Sequence, residues 1–337
     1  MQDPVHQTHG IALIIGADGG IGGEVAKALN AHGWGVRALT RRPQTGASTS
    51  DWRGPIAWIK GDAMQSADVI AAAKGTRIIV NAANPPGYRN WRGLALPMLA
   101  NAIAAAKASG ARLMLPGNVY NYGPDAFPLL RETSPQHPRT RKGAVRVEME
   151  QMLATAAGEG LRSVVIRAGD FFGPHVASSW FNGFMVVPGK PVSLIRYPGR
   201  PQAGHAWAYL PDLAETFAQV ATREQELPAF DTFHFGGTWC EQGVEFAEAA
   251  RRAAGNRRAP IKGLPIWFGL ATPFVGFLRE AREMRYLWEV PVRLDNAKLT
   301  AFLGAEPHTP LEEALRTTLR ALDCLPATTG SPMPKAA

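Results

Sequence analysis

The segment from Gly10 to Thr40, GIALIIGADGGIGGEVAKALNAHGWGVRALT, constrains this chain more than any other. Ile11 to Ile15 is a short continuous apolar run, which suits a strand covered on both faces of a parallel sheet. It stops at Gly16. Glycines then fall at Gly16, Gly19 and Gly22, with Gly20 and Gly23 beside them. From Glu24 the pattern turns helical, with Val25, Ala26, Ala28 and Leu29 at helix spacing and Gly33 as the stop. Val36–Leu39 predicts a second strand. A helix that starts in such a turn presents unpaired N–H groups and a partial positive charge, which suits a phosphate. A dinucleotide pyrophosphate must approach main-chain N–H groups where a Cβ would obstruct it, so the glycines have a physical reason. The triplet alone is a weak signal; its place between a strand and a helix makes it specific. Asp18 departs from the pattern, because an acid beside a phosphate is unfavourable unless it caps the helix or points outward.

The second strand ends in Thr40, Arg41, Arg42 and Pro43. An acid here would hydrogen-bond the ribose hydroxyls of NAD, whereas two arginines suit the additional 2′-phosphate of NADP. NADP is the expected cofactor, with NAD as the alternative. The charge distribution agrees. Residues 1–150 hold 17 Lys and Arg against 10 Asp and Glu, so most of the net +8 lies in the half with the phosphate loop. No basic helix or aromatic–basic strand points to nucleic acid.

Further strands are predicted at Ile56–Ile59, Arg77–Val80, Arg112–Leu115 and Ser163–Ile166. They alternate with helices at Ser66–Ala73, Leu94–Ala108 and Val145–Ala156. This alternation predicts an α/β fold, a doubly wound parallel sheet over residues 10–173. After Gly173, prolines, glycines and aromatics crowd together (Trp180, Phe184, Trp207), which predicts a smaller substrate lobe over 174–325 with some return to the sheet. Helices are expected at Asp212–Val220, Gly243–Ala254, 266–286 and Leu311–Leu322, and a strand at Phe233–Phe235. Residues 1–9 and 326–337 read as tails. No run of 18 apolar residues exists, so no membrane span is expected. Cys240 and Cys324 give neither metal-ligand spacing nor a disulfide framework, which fits a reducing cytoplasm; no metal site is expected.

These residues carry a family likeness. The chain resembles the extended short-chain dehydrogenase/reductase superfamily, in its NAD-dependent epimerase/dehydratase branch. The resemblance implies a Rossmann fold with Gly16, Asp18, Gly19, Gly20, Ile21 and Gly22 around the pyrophosphate, Gly61 and Asp62 at the adenine, and Asn81, Ala82 and Ala83 beside the cofactor. It also implies that Arg167 and Gly169 reach the nicotinamide and substrate. The family's usual catalytic set is a Ser or Thr, a Tyr, and a Lys four residues later. Here the matching positions hold Asn118, Lys142 and Arg146. Arg146 cannot act as a base, since its proton does not leave, but it suits a clamp on ribose hydroxyls. Lys142 is the expected proton donor and Asn118 the expected carbonyl-orienting group. Tyr120 and Tyr122 are alternative acids, Tyr122 being equally suited to packing; Asp170 and His175 offer further acid–base groups. The resemblance implies an NADP-dependent oxidoreductase, epimerase or dehydratase acting on a small carbonyl or hydroxyl substrate, and a homodimer paired through the helices at 94–108 and 145–156. The altered centre leaves open a second class, an NADP(H)-responsive regulator similar to NmrA-like relatives.

Overall fold

The computed structural model describes residues 9–42, 52–85, 90–176, 179–265 and 283–326. The first half of the chain runs β1 (Ile11–Ile15), α1 (Gly20–Ala31), β2 (Gly35–Thr40), β3 (Ala57–Lys60), α2 (Ser66–Ala72), β4 (Ile78–Asn81), α3 (Trp91–Ser109) and β5 (Arg112–Asn118). It continues with β6 (Leu129–Leu130), α4 (Arg141–Ala157), β7 (Arg162–Ala168), β8 (Asp170–Phe172), β9 (Ile195–Tyr197) and β10 (His205–Tyr209). Then come α5 (Leu210–Thr222), β11 (Phe230–His234), β12 (Thr238–Cys240), α6 (Val244–Ala253), β13 (Ile261–Gly263), β14 (Arg293–Leu294), α7 (Ala297–Leu303) and α8 (Leu311–Ala321). The expected helix over 266–286 and both expected tails fall mainly outside the described residues.

Seven strands form one parallel sheet in the order β11-β7-β5-β4-β1-β2-β3. Each strand's side chains alternate between two separate cores, as the two-residue strand period requires. Ala12 and Ile14 of β1 face one core and Leu13 and Ile15 the other. In the same way Val164 and Ile166 of β7 face the first core, and Val165 the second. Val25 and Leu29 of α1 and Leu213 and Phe217 of α5 cover the first face. Val69 of α2, Leu99 of α3, and Val145 and Leu153 of α4 cover the second. Burial on both faces explains why the strands read as continuous apolar runs.

A third core gathers residues from the loop after β5 and from the later chain, among them Tyr122, Phe172, Phe181, Trp207, Phe246, Trp288 and Leu315. It surrounds a small sheet, β12-β10-β8, in which β10 is parallel to β8 and antiparallel to β12. The chain therefore crosses twice: α5 and β11 follow the first part of this lobe yet pack on the main sheet.

Candidate functional site

The carboxyl ends of β1, β4, β5 and β7 share one edge of the sheet, where ligands bind in open parallel sheets. Gly16 leaves β1 at φ +96°, a conformation that strains any side chain, and a Cβ there would lie 2.7 Å from the Ala83 nitrogen. A Cβ on Gly22 would lie 2.2 Å from the Gly16 carbonyl oxygen. These two glycines let the turn close on itself. At Gly19 the nearest atom is that same oxygen, at 3.4 Å, so the outer side of the turn is open. Gly19 is also the N-cap of α1 and has no capping side chain, so the first-turn N–H groups of Gly20, Ile21 and Gly22 meet that opening. Asn81 ends β4 at 3% exposure, and its Oδ1 has no hydrogen-bond partner. An unfilled turn, an uncapped helix start and an orphaned buried amide oxygen on one edge fit a nicotinamide dinucleotide.

Asp18 does not cap α1. Its Oδ2 accepts a hydrogen bond from Thr40 Oγ1 at 3.3 Å, and Arg53 lies 3.5 Å from its Oδ1. The carboxylate thus turns away from the helix axis toward the end of β2, where Arg41 and Arg42 are exposed. Asp62, after β3, accepts Met64 N at 3.0 Å, and Gly61 N donates to the Thr40 carbonyl at 2.9 Å. Ala82 N donates to the Ile15 carbonyl at 2.9 Å, which ties the Asn81–Ala83 loop to β1 beside the glycine turn.

The catalytic candidates come from β5 and α4. Asn118 ends β5, and its Oδ1 accepts Tyr120 N at 3.0 Å, which starts the single turn Val119–Asn121. Thr140 caps α4 by accepting Gly143 N at 2.9 Å. Gly143 sits so close to this turn that a Cβ would lie 2.2 Å from the Tyr120 carbonyl oxygen. That contact sets the Asn118–Tyr120 turn against the first turn of α4, which carries Lys142, buried at 5% exposure. One helical turn on, Arg146 donates to the Pro116 carbonyl at 3.0 Å and holds its guanidinium 4.8 Å over the Trp91 ring.

Two expected site residues are placed elsewhere. Arg167 is 2% exposed; it donates from Nε to Glu150 Oε1 at 3.0 Å and from a terminal nitrogen to the other Glu150 oxygen. Its second terminal nitrogen donates to the Tyr122 hydroxyl at 2.5 Å. A guanidinium spent in this way is part of the core, not of the cofactor cleft. Tyr122 is fully buried, its hydroxyl lies 2.8 Å from His234 Nε2, and burial raises its pKa further from neutrality. It is a structural hydroxyl and not a substrate acid. Gly169 remains at the edge, where a Cβ would meet the Ala206 carbonyl at 2.3 Å. His175, weighed as an acid–base group, pairs with the buried Glu24 at 2.8 Å and stacks on Trp52 at 3.5 Å between ring centroids.

His234 leaves one signal in the sequence, a polar residue between Phe233 and Phe235. It stands at the end of a buried relay, Glu150–Arg167–Tyr122–His234, that closes on the Leu130 carbonyl at 3.2 Å from His234 Nδ1. The relay holds α4, β7, β11 and the loop after β5 in one arrangement. Among the described residues no group of three His, Cys, Asp or Glu side chains is placed to hold a metal ion, and no helix is long and apolar enough to cross a membrane.

A seven-stranded parallel sheet with this glycine turn at its first crossover defines a dinucleotide-binding Rossmann fold. The profile of the NAD dependent epimerase/dehydratase family matches residues 12–236. Solved structures agree on the fold. A UDP-glucose-4-epimerase from Stenotrophomonas maltophila, with bound NAD and formylated UDP-arabinopyranose, superposes with a TM-score of 0.73 at 15% identity, covering 93% of this chain and 98% of that one. A UDP-glucose 4-epimerase from Brucella ovis in complex with NAD gives 0.73 at 16%, covering 93% and 98%. A UDP-N-acetylglucosamine 4-epimerase from Bacillus cereus gives 0.71 at 14%, covering 93% and 99%. No curated protein matches the chain. The chain belongs to the NAD dependent epimerase/dehydratase family and is an NAD(P)-dependent enzyme.

Proposed function

We propose that the protein is an NADP-dependent oxidoreductase or epimerase of the extended short-chain dehydrogenase/reductase type, acting on a small carbonyl or hydroxyl compound. The observation that carries this reading is the exposed Arg41–Arg42 pair at the end of β2, beside the open side of the glycine turn. Bound there, the nicotinamide group supplies or accepts a hydride. The N–H groups at the start of α1 hold the pyrophosphate, and Arg41 and Arg42 grip the additional phosphate. Asp62 would meet the adenine, and the Asn81–Ala83 loop would lie beside the cofactor. Arg146, always charged, clamps ribose hydroxyls, while Asn118 and Tyr120 orient the substrate oxygen and Lys142 brings a cationic donor toward it.

The NAD-bound epimerase relatives make sugar nucleotides one class to try, and the two buried free thiols, Cys240 and Cys324, suit a reducing cytoplasm. The chain pairs with a second copy through α3 and α4, across a groove that Leu96, Pro97 and Met152 help to line. A solution mass of about twice 36.3 kDa supports that pairing, and a monomer at working concentration contradicts it.

The functional reading is tested by incubating the protein and NADPH with varied aldehydes, ketones and nucleotide sugars and following NADPH absorbance. Consumption with one class is expected, and it falls at least tenfold in Lys142→Ala or Tyr120→Phe. Bound NADPH that no compound consumes contradicts the oxidoreductase half of the assignment, and NADP-loaded protein that epimerises none of the nucleotide sugars contradicts the epimerase half.

A further inference from the structure

Asp18 is the charged residue of the Gly16–Gly22 turn, and the hydride-transfer reading leaves its carboxylate unused. Its side chain is 55% exposed and reaches the end of β2, where Oδ2 accepts a hydrogen bond from Thr40 Oγ1 at 3.3 Å. Thr40 Oγ1 in turn accepts the Arg42 N–H at 3.2 Å. The acid therefore stands one side chain away from the arginine pair assigned to the 2′-phosphate. A phosphate monoester carries about 1.5 to 2 negative charges at neutral pH. A carboxylate this near opposes its binding.

Arg53 answers that charge from a fixed position. Its Nη1 lies 3.5 Å from Asp18 Oδ1 and donates to the Ala17 carbonyl, in the glycine turn itself, at 3.3 Å. The guanidinium lies 4.8 Å over the Trp58 ring of β3. The Arg53 carbonyl accepts Asn30 Nδ2 of α1 at 3.0 Å, which ties the backbone down as well. The Arg53 side chain is 12% exposed, whereas Arg41 and Arg42 stand out in solvent. An ion pair between two mobile surface side chains contributes little, because both must be ordered to form it. Here one partner is already ordered by a carbonyl, a ring and its own main chain. The positive charge is therefore in place at Asp18 before a cofactor arrives.

We infer that Arg53 is a specificity-determining residue for the cofactor: it neutralises Asp18, so that the end of β2 accepts a 2′-phosphate. The inference rests on the NADP reading above and adds a second half to it. Arg41 and Arg42 attract the phosphate, and Arg53 cancels the repulsion that the glycine turn would otherwise exert on it. The unphosphorylated ribose is indifferent to that repulsion, because its 2′-hydroxyl can donate to a carboxylate. Preference is a difference between two affinities. Removing the Arg53 charge therefore lowers one of them, that for NADPH, and leaves that for NADH in place.

The test measures Kd for NADPH and NADH by fluorescence titration at low salt, where such charges are least screened. Wild type is compared with Arg53→Leu, Arg53→Lys, Asp18→Asn and the double variant Arg53→Leu/Asp18→Asn, each checked by thermal melt. Arg53→Leu is expected to weaken NADPH at least fivefold relative to NADH. Arg53→Lys, which keeps the charge, is expected to hold the wild-type ratio within a factor of five. Adding Asp18→Asn to Arg53→Leu removes the repelling group and is expected to return the ratio to the wild-type range. Asp18→Asn alone, which does not depend on how well the Arg53 variants fold, shifts the ratio further toward NADPH. A ratio changed less than fivefold in Arg53→Leu, equal weakening of both cofactors, no recovery in the double variant, or Asp18→Asn leaving the ratio unchanged or moving it toward NADH overturns the inference. Each of those results leaves the NADP reading standing. Wild type that binds NADPH no more tightly than NADH overturns that reading, and this inference with it.

Discussion

The His234 ring accepts a hydrogen bond at Nε2 from the Tyr122 hydroxyl and donates Nδ1–H to the Leu130 carbonyl, so its contacts specify the neutral form. Burial, and after it the nearby Arg167 charge, lowers its pKa from 6.5 to about 3. The unfolded chain takes up this proton near pH 6.5 and the folded chain resists it until about pH 3. The contribution is therefore fully present above about pH 6.5 and is lost as pH falls toward 3. His234→Gln removes this dependence. The stability difference between wild type and variant, from urea unfolding at a series of pH values, is expected to be constant above pH 7. Below that it shrinks by up to about 1.4 kcal/mol per pH unit. A difference that does not change with pH contradicts the neutral assignment. In the same relay, Glu150→Gln leaves the Arg167 guanidinium buried without its counter-charge, and a loss of about 3–5 kcal/mol is expected in the same assay. A loss below 1 kcal/mol would mean that the pair is solvated in solution.

Among the elements, α4 carries two of the proposed site residues, Lys142 and Arg146. Its first turn depends on the Thr140 cap, so Thr140→Ala is expected to cost about 1 kcal/mol. Gly143→Ala goes further, because the added methyl meets the Tyr120 carbonyl at 2.2 Å and must push the β5 loop away from Lys142. Turnover should fall much more in Gly143→Ala than in Thr140→Ala, while NADPH affinity changes little; equal effects contradict the contact. The sequence places this helix at Val145–Ala156, one turn short, because Arg141, Lys142 and Gly143 show no apolar periodicity; the cap is what extends it. Six strands of the main sheet, β1 to β5 and β7, are legible, and β11 in part at Phe233–Phe235, because burial on both faces leaves unbroken runs such as Ile11–Ile15 in most of them. The small sheet is not legible. Strand β10 reads His-Ala-Trp-Ala-Tyr in a stretch crowded with Pro and Gly, and its partners Phe171 and Thr238 lie far away in sequence. The relay is hidden for the same reason. Tyr122 and His234 are 112 residues apart, so neither the role of Tyr122 nor the loss of Arg167 from the cofactor set follows from local pattern. The glycine turn is the opposite case, since everything that shapes it lies within a few residues.

For the molecule as a whole, two chain crossings join the lobe to the sheet. Through α5 and β11 the main sheet reaches residues on either side of the small one. Ligand held at the sheet edge should therefore stabilise the whole chain. NADPH at 100 times its Kd is expected to add about 2.7 kcal/mol to unfolding, with a single transition seen by tryptophan fluorescence and by far-ultraviolet circular dichroism. Stabilisation of only one of two separable transitions contradicts that coupling. The central claim is that main-chain amides at the start of α1 bind a pyrophosphate while Arg41 and Arg42 select the phosphorylated cofactor. A low-salt fluorescence titration of the wild type and of an Arg41→Ala/Arg42→Ala variant with NADPH and NADH tests it most directly. The expected result is tighter binding of NADPH by wild type and loss of that preference in the variant, with NADH affinity retained; no binding of either cofactor, or a preference for NADH that is the same in both proteins, would contradict it.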